Sequence, residues 1–297
     1  VNDTLASAVT MAAGRLLSAP QVSFARLGGY AAVVEALNAV EGVEGFLWRE
    51  YSPASAGHSS IERRYFTEAN AARLDGIRQC IALWSEAGQI SASETVLLLA
   101  DLISATNRAA NIAGTYGCFL SKWQKPALAP VSLVCRQLSN RETRVEVVNV
   151  DAYLVRSNPS DVVYLDPPYT KRQYAAYYHI LETIVLNDEP VVEGICGLRP
   201  WHSKSSPFCY KRKALDALVR LVEGLSALTV LISYSNEGHV DLEALASRLG
   251  HTGEVEIVPL QDVGRYRPNT TARDNRACVT EYLIKYQRRV VPEGLTV

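Results

Sequence analysis

The chain has 297 residues, of which 48% are hydrophobic and 21% are charged, the composition of an ordinary globular protein. Its formal net charge of -1 excludes a global basic field, so any binding of nucleic acid must depend on local basic clusters. No apolar run reaches the roughly 18 residues of a membrane helix and no signal peptide is visible, which predicts a cytoplasmic protein.

The first residues predict the end of a strand followed by a helix. Val1–Leu5 has the pattern of a strand that ends, and a helix is predicted from Ala6 to Leu17. Asp3 or Thr4 is available as the helix cap, because short polar side chains accept hydrogen bonds from the first free N–H groups. Asp3 is thus a candidate for a purely structural role.

Residues 43–140 interrupt the α/β pattern and predict a mostly helical insertion. Thr67–Asn70 begins a helix whose apolar residues recur at helical spacing as far as Trp84. Ser91–Glu94 is a capping-box pattern that opens a second helix, predicted to run to about Ala113. The short connection predicts that the two helices form a hairpin.

This insertion combines basic and aromatic side chains, a combination typical of nucleic-acid-binding surfaces. Basic groups suit phosphates and aromatic rings suit bases. The alternative is a solvated charged face with the aromatic rings in the core, and for any single residue this alternative is favoured. The residues concerned are Arg49, Arg63, Arg64, Lys122 and Lys125, with Trp48, Tyr51, Tyr65, Tyr116 and Trp123.

The α/β pattern resumes with two predicted strands that each end at an acidic residue. Residues 144–151 predict a strand ending in Asp151, which is also placed to cap a short helix. Val162–Leu165 is a continuous apolar run, typical of a buried parallel strand, and two prolines after Asp166 end it abruptly. Because ligands bind beyond the carboxyl ends of such strands, Asp166 and Tyr169 are expected in a binding crevice.

The rest of the chain predicts further strands and a long basic loop. Residues 194–210 are irregular by composition and lead into Lys211–Lys213, at the start of a predicted helix. Three cations oppose the dipole of a helix N-terminus, which favours a bound polyanion; the alternative is a solvated helix start. Strands are predicted at 229–238, 255–258 and 279–286, with a helix at 241–249.

Residues that could bind a metal do not form a recognisable site. The six cysteines are scattered without a Cys-x-x-Cys pair, which argues for reduced thiols and against zinc. His179 and Glu182 stand three apart on a predicted helix, but no third ligand is evident, so a polar pair is favoured. No metal is expected.

The Asp-Pro-Pro-Tyr sequence at Asp166–Tyr169 resembles motif IV of S-adenosylmethionine-dependent amino-methyltransferases, in the form usual for DNA adenine-N6 enzymes. The segment that follows it, 170–184, is similar to that of the D12 class of adenine-specific DNA methyltransferases. Tyr51–Pro53 and Gly114–Leu120 also resemble stretches on either side of the helical insert in that class. The resemblance covers nearly the whole chain.

This resemblance implies an α/β fold, with a Rossmann-like S-adenosylmethionine-dependent methyltransferase sheet and a mostly helical insertion. Residues 1–42 and 141–297 would form the catalytic α/β domain. Residues 43–140 would form the target-recognition region.

The motif implies a mechanism for methylating an exocyclic amine, whose lone pair is delocalised into the base. The Asp166 carboxylate and the Pro167 carbonyl would accept both amine hydrogens and turn the lone pair out of the ring plane. Tyr169, after Pro168, would stack on a base flipped out of the duplex. These four residues are the predicted catalytic residues.

The implied cofactor is S-adenosyl-L-methionine. By the resemblance, Asp3 takes the ribose hydroxyls, Asp151 with Ala152 lies against the adenine ring, and Asp166 lies beside the methyl group. For Asp3 and Asp151 the alternative of a helix cap alone stays open.

The implied substrate is double-stranded DNA, bound through local clusters of cations. One cluster follows the Asp-Pro-Pro-Tyr motif, a second lies in the loop at 194–210 and the basic triplet after it, and a third lies between the last two predicted strands. The predicted DNA-binding residues are Lys171, Arg172, Arg199, Lys204, Lys211, Arg212, Lys213, Arg265 and Arg267.

One element of the family is missing from this sequence. The glycine-rich loop that cradles the methionine end of the cofactor is not found, and neither Gly28–Gly29 nor Gly114–Gly117 has the strand and helix context to replace it. We therefore expect a C-terminal piece: a truncated form, a cleaved product, or a subunit whose N-terminal partner polypeptide supplies the loop.

The predicted function is methyl transfer from S-adenosylmethionine to adenine N6 in DNA. Two alternatives remain. The first keeps the chemistry and changes the acceptor to cytosine N4 or an RNA base. The second is an inactive or regulatory DNA-binding subunit.

Overall fold

The computed structural model describes residues 1–260 and 279–289, which fold into two compact units. Unit 1 comprises residues 1–150 and 175–204. Unit 2 comprises residues 151–174 and the described residues from Ser205 onward. Arg265 and Arg267 lie outside the described residues.

Unit 1 is built from helices. Their bounds are α1 (Ala6–Leu16), α2 (Tyr30–Ala39), α3 (Phe46–Tyr51), α4 (Ala56–Ser59), α5 (Glu68–Glu86) and α6 (Ala92–Ala109); the four-residue α7 (Tyr174–Tyr177) leads into α8 (His179–Leu186). Residues 43–138 contain α3 to α6 and, beyond isolated bridges, no strand; their status as a separate insertion stays a prediction. Its role in target recognition stays a prediction.

The two long helices α5 and α6 begin where their caps place them. The Thr67 side chain accepts a hydrogen bond from the Asn70 N–H, and Ser91 and Glu94 form the predicted capping box. The helices pack against each other, which confirms the hairpin.

The predicted end of α6 near Ala113 is wrong, since the helix stops at Ala109. Asn111 explains the early end. Its backbone N–H donates to Tyr65 O, and its side-chain amide donates to Arg64 O and Leu120 O at 3.0 Å each. These bonds to distant segments replace the bonds that a continuing helix would make.

The core of unit 1 contains much of the aromatic and basic mixture predicted for the insertion. Tyr51, Tyr65 and Tyr116 are fully buried. Arg63 is also buried and pairs with Glu50 at 3.0 Å, so it is not free to reach a phosphate. For these four residues the core alternative holds, because their polar atoms are bonded inside the protein.

The amino terminus of α1 is capped differently from the prediction. The Glu182 carboxylate accepts hydrogen bonds from the N–H groups of Ala6 (3.1 Å) and Ser7 (2.9 Å), whereas neither Asp3 nor Thr4 is the cap residue. Asp3 instead accepts from the Leu5 N–H within the preceding turn. A carboxylate from a helix about 175 positions away in sequence thus satisfies the first free N–H groups of α1.

The strand predicted at 144–151 appears only as an extended segment. It forms one parallel bridge, between Val148 and Asn2, and the Val148 N–H donates to Val1 O at 2.9 Å. This segment therefore pairs with the start of the chain at a single position. The Asn2 side chain accepts a hydrogen bond from the backbone N–H of Val150.

Unit 2 contains a four-stranded mixed sheet with two helices. The strands are β1 (Val162–Leu165), β2 (Thr229–Ser235), β3 (Gly253–Leu260) and β4 (Glu281–Arg288), and the helices are α9 (Ala214–Gly224) and α10 (Leu242–Leu249). The order is β1-β2-β4-β3, with β1 parallel to β2 and the other pairs antiparallel. Alternate residues of β2, such as Val230 and Ile232, are buried in a core with α9 and α10.

The parallel orientation of β1 is as predicted, but its burial is not. Val162 and Tyr164 are 64% and 60% exposed. Within the described sheet β1 is an edge strand that pairs only with β2, so the face bearing these two side chains is open to solvent.

No helix in the described ranges combines the length and apolar character needed to cross a membrane.

Candidate active site

Asp166 lies at the carboxyl end of β1. Its neighbour Leu165 pairs with Ile232 in the parallel strand β2, so Asp166 follows the last paired position of the strand. Its residue surface is exposed, although partial desolvation raises the pKa of the carboxyl group above its usual value. Within the described part of the chain no hydrogen bond to this carboxylate is formed, which leaves both oxygens available to a ligand.

The rest of the Asp-Pro-Pro-Tyr motif is held in place by packing. Pro167 is buried and Pro168 is partly buried. The Tyr169 ring meets the Tyr234 ring edge to face, with centroids 5.8 Å apart, and the Tyr169 carbonyl accepts a hydrogen bond from the His239 N–H at 2.8 Å. The orientation of Tyr169 therefore depends on the end of β2 and the turn after it.

Sequence reasoning did not identify the residues that position Tyr169. The Tyr234 hydroxyl accepts a hydrogen bond from the Val240 N–H at 3.0 Å, which closes the turn over the ring. A Cβ atom at Gly238 would lie 2.3 Å from the Tyr234 ring. Gly238 is thus required for this close approach, and its place in the polar turn after β2 was the only available sequence signal.

Carboxylates surround Asp166 at this end of the sheet. Glu281 begins β4 and pairs in register with Ser235. Burial and the negative charges of Asp166 and Glu237 raise the pKa of Glu281. Burial and the charges of Glu281, Asp166 and Glu237 likewise raise the pKa of the Tyr169 hydroxyl. The local field therefore favours a positively charged ligand.

Asp3 lies in unit 1, where the start of the chain meets the extended segment around Val148. Its carbonyl accepts a hydrogen bond from the Asn149 amide at 2.6 Å, and its carboxylate accepts one from Leu5 N at 2.8 Å. Burial raises the pKa of Asp3, although the Leu5 bond opposes this shift. One carboxylate oxygen is engaged, and a cofactor role for Asp3 stays a prediction.

Asp151 and Ala152 lie in unit 2, at the start of a single 3₁₀ turn. The Asp151 side chain accepts a hydrogen bond from the Tyr153 N–H at 3.0 Å and so caps the turn. Asp151 therefore has the capping role that was the alternative to binding the cofactor. Its exposed carboxylate retains a second oxygen, so binding of the cofactor by Asp151 and Ala152 also stays a prediction.

Unit 2 brings two of the predicted basic clusters together. Lys171 and Arg172 are exposed, as are Lys211–Lys213. Two contacts join their segments: the Cys209 thiol donates to Arg172 O at 3.2 Å, and the neighbouring Gln173 and Ser206 exchange two hydrogen bonds. The five cations are therefore carried on connected segments of one unit.

Arg199 and Lys204 are in a different situation within unit 1. Arg199 donates to both oxygens of Asp188, and its side chain is only 12% exposed. Lys204 donates to Glu182 at 2.8 Å. Burial by itself would raise the pKa of Glu182, but the hydrogen bonds from Lys204, Ser7 and Ala6 lower it overall. Both cations are balanced inside the protein, and DNA contacts by them stay predictions.

The spacing of His179 and Glu182 serves the fold. The buried His179 ring lies 3.0 Å from Tyr116 O, and Glu182 caps α1. In residues 1–260 and 279–289, no group of three or more His, Cys, Asp or Glu residues is arranged to hold a metal ion.

Comparison with known families gives one match. The family described as D12 class N6 adenine-specific DNA methyltransferase matches residues 38–242, a range that includes Asp166–Tyr169 and the turn at Gly238. No solved structure matches the chain.

Curated relatives fall into two groups by length. Type II methyltransferase M.FokI of Planomicrobium okeanokoites is 35% identical over 248 residues, which are 83% of this chain and 38% of that protein. Modification methylase StsI of Streptococcus sanguinis is 31% identical over 249 residues, or 83% of this chain and 37% of that protein. Type II methyltransferase M.NlaIII of Neisseria lactamica is 31% identical over 242 residues, which are 81% of this chain and 71% of that protein. The chain thus spans less than two fifths of the first two relatives.

Proposed function

Because this chain belongs to the D12 class N6 adenine-specific DNA methyltransferase family, we propose that it methylates N6 of an adenine in double-stranded DNA, within a restriction-modification system. The relatives are named as Type II or modification methylases, which supports the proposed biological role. The proposed fold is the Rossmann-like methyltransferase sheet of this enzyme class, with which the mixed sheet of unit 2 is consistent.

The observation that carries this proposal is the exposed Asp166 carboxylate at the end of β1, beside Tyr169. Asp166 and the Pro167 carbonyl accept the two N6 hydrogens and orient the nitrogen lone pair, and Tyr169 stacks on the flipped adenine. Formation of the N–C bond would break the methyl–sulfur bond of the cofactor and leave a neutral thioether. The nitrogen would then be cationic and would give up one proton. Asp166 is the acceptor placed for that proton, and its raised pKa makes it a better base than a fully solvated aspartate.

S-adenosyl-L-methionine, when bound, supplies an electrophilic methyl group on a sulfonium. The acidic surroundings fit such a cation, because Asp166, Glu237 and Glu281 all carry negative charge at this end of the sheet. In unit 1, Asp3 is the proposed contact of the ribose; in unit 2, Asp151 and Ala152 are the proposed contacts of the adenine. Within the described residues each of the two aspartates accepts one backbone hydrogen bond, and carboxylate oxygens suit the hydrogen-bond donors of ribose and adenine.

We assign DNA binding first to the exposed cations of unit 2. Lys171, Arg172 and Lys211–Lys213 have no salt bridge within the described residues, so no internal ion pair has to be broken when they meet a phosphate. Arg199 and Lys204 would have to exchange a carboxylate partner for a phosphate. They are therefore the weaker candidates.

We also propose that the open edge of β1 receives a further strand, carried by an N-terminal partner polypeptide that supplies the glycine-rich loop. Two features support this. In the described sheet β1 pairs only with β2, and its Val162 and Tyr164 side chains stand in solvent. An unpaired edge with apolar side chains is a ready template for another strand.

The decisive experiment measures methyl transfer from labelled S-adenosylmethionine to an adenine-containing duplex, with and without co-expressed upstream polypeptide. Asp166→Ala should lower turnover by roughly 10²–10³-fold or more while DNA affinity stays unchanged. Asp161→Ala is the matched control, because Asp161 lies just before the other end of β1 and, among the described residues, its side chain accepts a hydrogen bond from Asn158 N in its own turn. It should retain wild-type turnover.

Three outcomes would count against the proposal. Unchanged turnover in Asp166→Ala would remove Asp166 from the mechanism. A label found on cytosine or on RNA would change the acceptor. DNA binding without transfer, even with the upstream polypeptide present, would favour the regulatory-subunit alternative.

A further inference from the structure

Unit 1 contains a surface cleft with an excess of positive charge. The cleft has a volume of about 410 Å³ and is lined by α1, α6 and the segment at Val134–Arg136. Its ionisable side chains other than a cysteine are three arginines, Arg15, Arg108 and Arg136, and one carboxylate, Asp101. We call it the basic cleft.

The single carboxylate of the basic cleft is already engaged. Asp101 accepts hydrogen bonds from Arg136 and from the Tyr30 hydroxyl, each at 2.6 Å. Arg136 also donates to Gly14 O at 3.3 Å. One arginine and the carboxylate therefore neutralise each other and fix the floor of the cleft.

The other two arginines are exposed and lack a carboxylate partner. Within the described residues neither Arg15 nor Arg108 forms a salt bridge. Arg108 is oriented by one hydrogen bond, to Ser132 O at 2.8 Å, which uses one of its five donors. About two positive charges are thus presented to solvent at the mouth of the cleft.

A second cavity in unit 1 provides the contrast. It has a volume of about 300 Å³ and contains Arg49 and Arg63. These two arginines pair with Glu50 and Glu189, so this cavity is balanced in charge. Of these two cavities in the described residues, the basic cleft is the one with an excess of guanidinium groups that would attract an anion.

Two walls of the basic cleft, α1 and α6, are closely packed. Gly14 on α1 packs so closely on α6 that a Cβ atom there would lie 2.5 Å from the Ala100 Cβ. Such contact fixes the spacing between Arg15 and the arginine on α6. Two guanidinium groups carried on helices at a fixed spacing can together bind the oxygens of one phosphate.

We infer that the basic cleft binds a backbone phosphate of duplex DNA through Arg15 and Arg108. This inference rests on the proposed function and adds to it a DNA contact made by unit 1. A chain with a net charge of -1 can attract DNA only through such local excesses of positive charge. A phosphate there would position the duplex and carry no sequence information.

The test compares duplex affinity at several salt concentrations, by fluorescence anisotropy, for the wild type and the double variant Arg15→Gln with Arg108→Gln. The variant should lower the slope of log affinity against log salt by about 2, and at about 0.1 M salt it should weaken binding roughly 50-fold. The double Lys variant, which keeps both charges, should retain the slope. Arg144→Gln, an exposed arginine of unit 1 outside the cleft, should leave slope and affinity unchanged.

Two further measurements make the outcome decisive. Arg15→Gln alone, with its thermal midpoint, separates lost binding from lost folding, because Arg15 supports no other segment in the described structure. Methyl transfer is scored in parallel. Wild-type slope in the double Gln variant, with transfer retained, would overturn the inference and leave the proposed function standing. A slope reduced by about 2, with no methyl transfer by any form of the protein, would support the DNA contact and count against the proposed function.

Discussion

The two units use their charged residues in different ways. In unit 1, Arg63, Arg199 and Lys204 are each paired with a carboxylate, and Glu182 caps a helix. In unit 2, Asp166 and the basic residues around Arg172 and Lys211–Lys213 are exposed. The same residue types therefore stabilise the fold in one unit and remain available to ligands in the other.

This difference teaches that residue type and spacing do not separate a binding residue from a structural one. An arginine that has its carboxylate inside the protein must lose that partner before it binds DNA, and the cost grows with burial. The basic cleft of unit 1 differs from these paired residues, since its arginines outnumber its carboxylate. Substitutions in both units test the comparison through the free energy of unfolding.

The largest effect is expected for Arg63→Ala in unit 1. The Arg63 side chain is 4% exposed and donates to the Glu50 carboxylate and to backbone carbonyls, including Gly194 O. Its removal leaves the mostly buried Glu50 charge with less compensation, which should cost about 3–5 kcal/mol of unfolding free energy. Chemical denaturation measures it. Arg64→Ala removes a partly exposed pair with Glu62 and one hydrogen bond to Ser121 O, without leaving a buried charge, and serves as the control, with a much smaller change expected. Equal losses in both variants would break the comparison.

Acid should destabilise unit 1 through His179. Burial lowers the pKa of this histidine to about 4, from 6.5. The neutral ring therefore contributes stability that is fully present above pH 6.5 and is lost as the pH falls toward 4, by about 3 kcal/mol in total.

His179→Gln keeps a hydrogen-bond donor for Tyr116 O and removes the titration. Unfolding free energies of wild type and variant, measured from pH 7 to pH 4, should converge as the pH falls. Parallel curves would show that His179 does not titrate in this range.

A smaller loss is expected for Gly238→Ala in unit 2. The new methyl group would displace the Tyr234 ring, at a cost of about 1–3 kcal/mol. Because Tyr169 packs on that ring, turnover should fall as well. Gly224→Ala at the end of α9 has no atom within 4 Å of the added Cβ and should change neither quantity. If Gly238→Ala lost stability but kept full turnover, Tyr234 would not position Tyr169.

The smallest effect on stability is expected for the exposed cations Lys211–Lys213, whose effect on DNA binding should be large. Replacing Lys211–Lys213 by three glutamines should change the unfolding free energy by less than about 0.5 kcal/mol, because these side chains are exposed. The salt dependence of duplex binding should weaken by up to about 3 in slope. A clear loss of stability without a change in slope would place these cations with the structural ones of unit 1.

Local patterns in the sequence predicted the elements that depend on local forces. The apolar runs of β1 and β2 and the caps of α5 and α6 fell where expected, since each is defined by neighbouring residues. The strand at 144–151 is reduced to one bridge, a result that depends on long-range pairing.

The candidate site was predicted only in part for the same reason. The tetrad at Asp166–Tyr169 is a local signature, and its position at the end of β1 followed from the strand pattern. The packing of Tyr234 on Tyr169, and the cap that Glu182 provides to α1, join residues that are far apart in sequence. Single-sequence patterns contain no information about such contacts.

The one-sided pairing of β1 has a practical consequence for handling this protein. In the described sheet the main-chain groups on the free edge of β1 have no strand partner and invite identical strands from other molecules, so concentrated solutions should tend to self-associate and precipitate. A lysine in place of Val162 would act as a gatekeeper against such stacking and leave the acid at the strand's far end untouched. Purification at low concentration, with this change in hand, is the route to homogeneous samples.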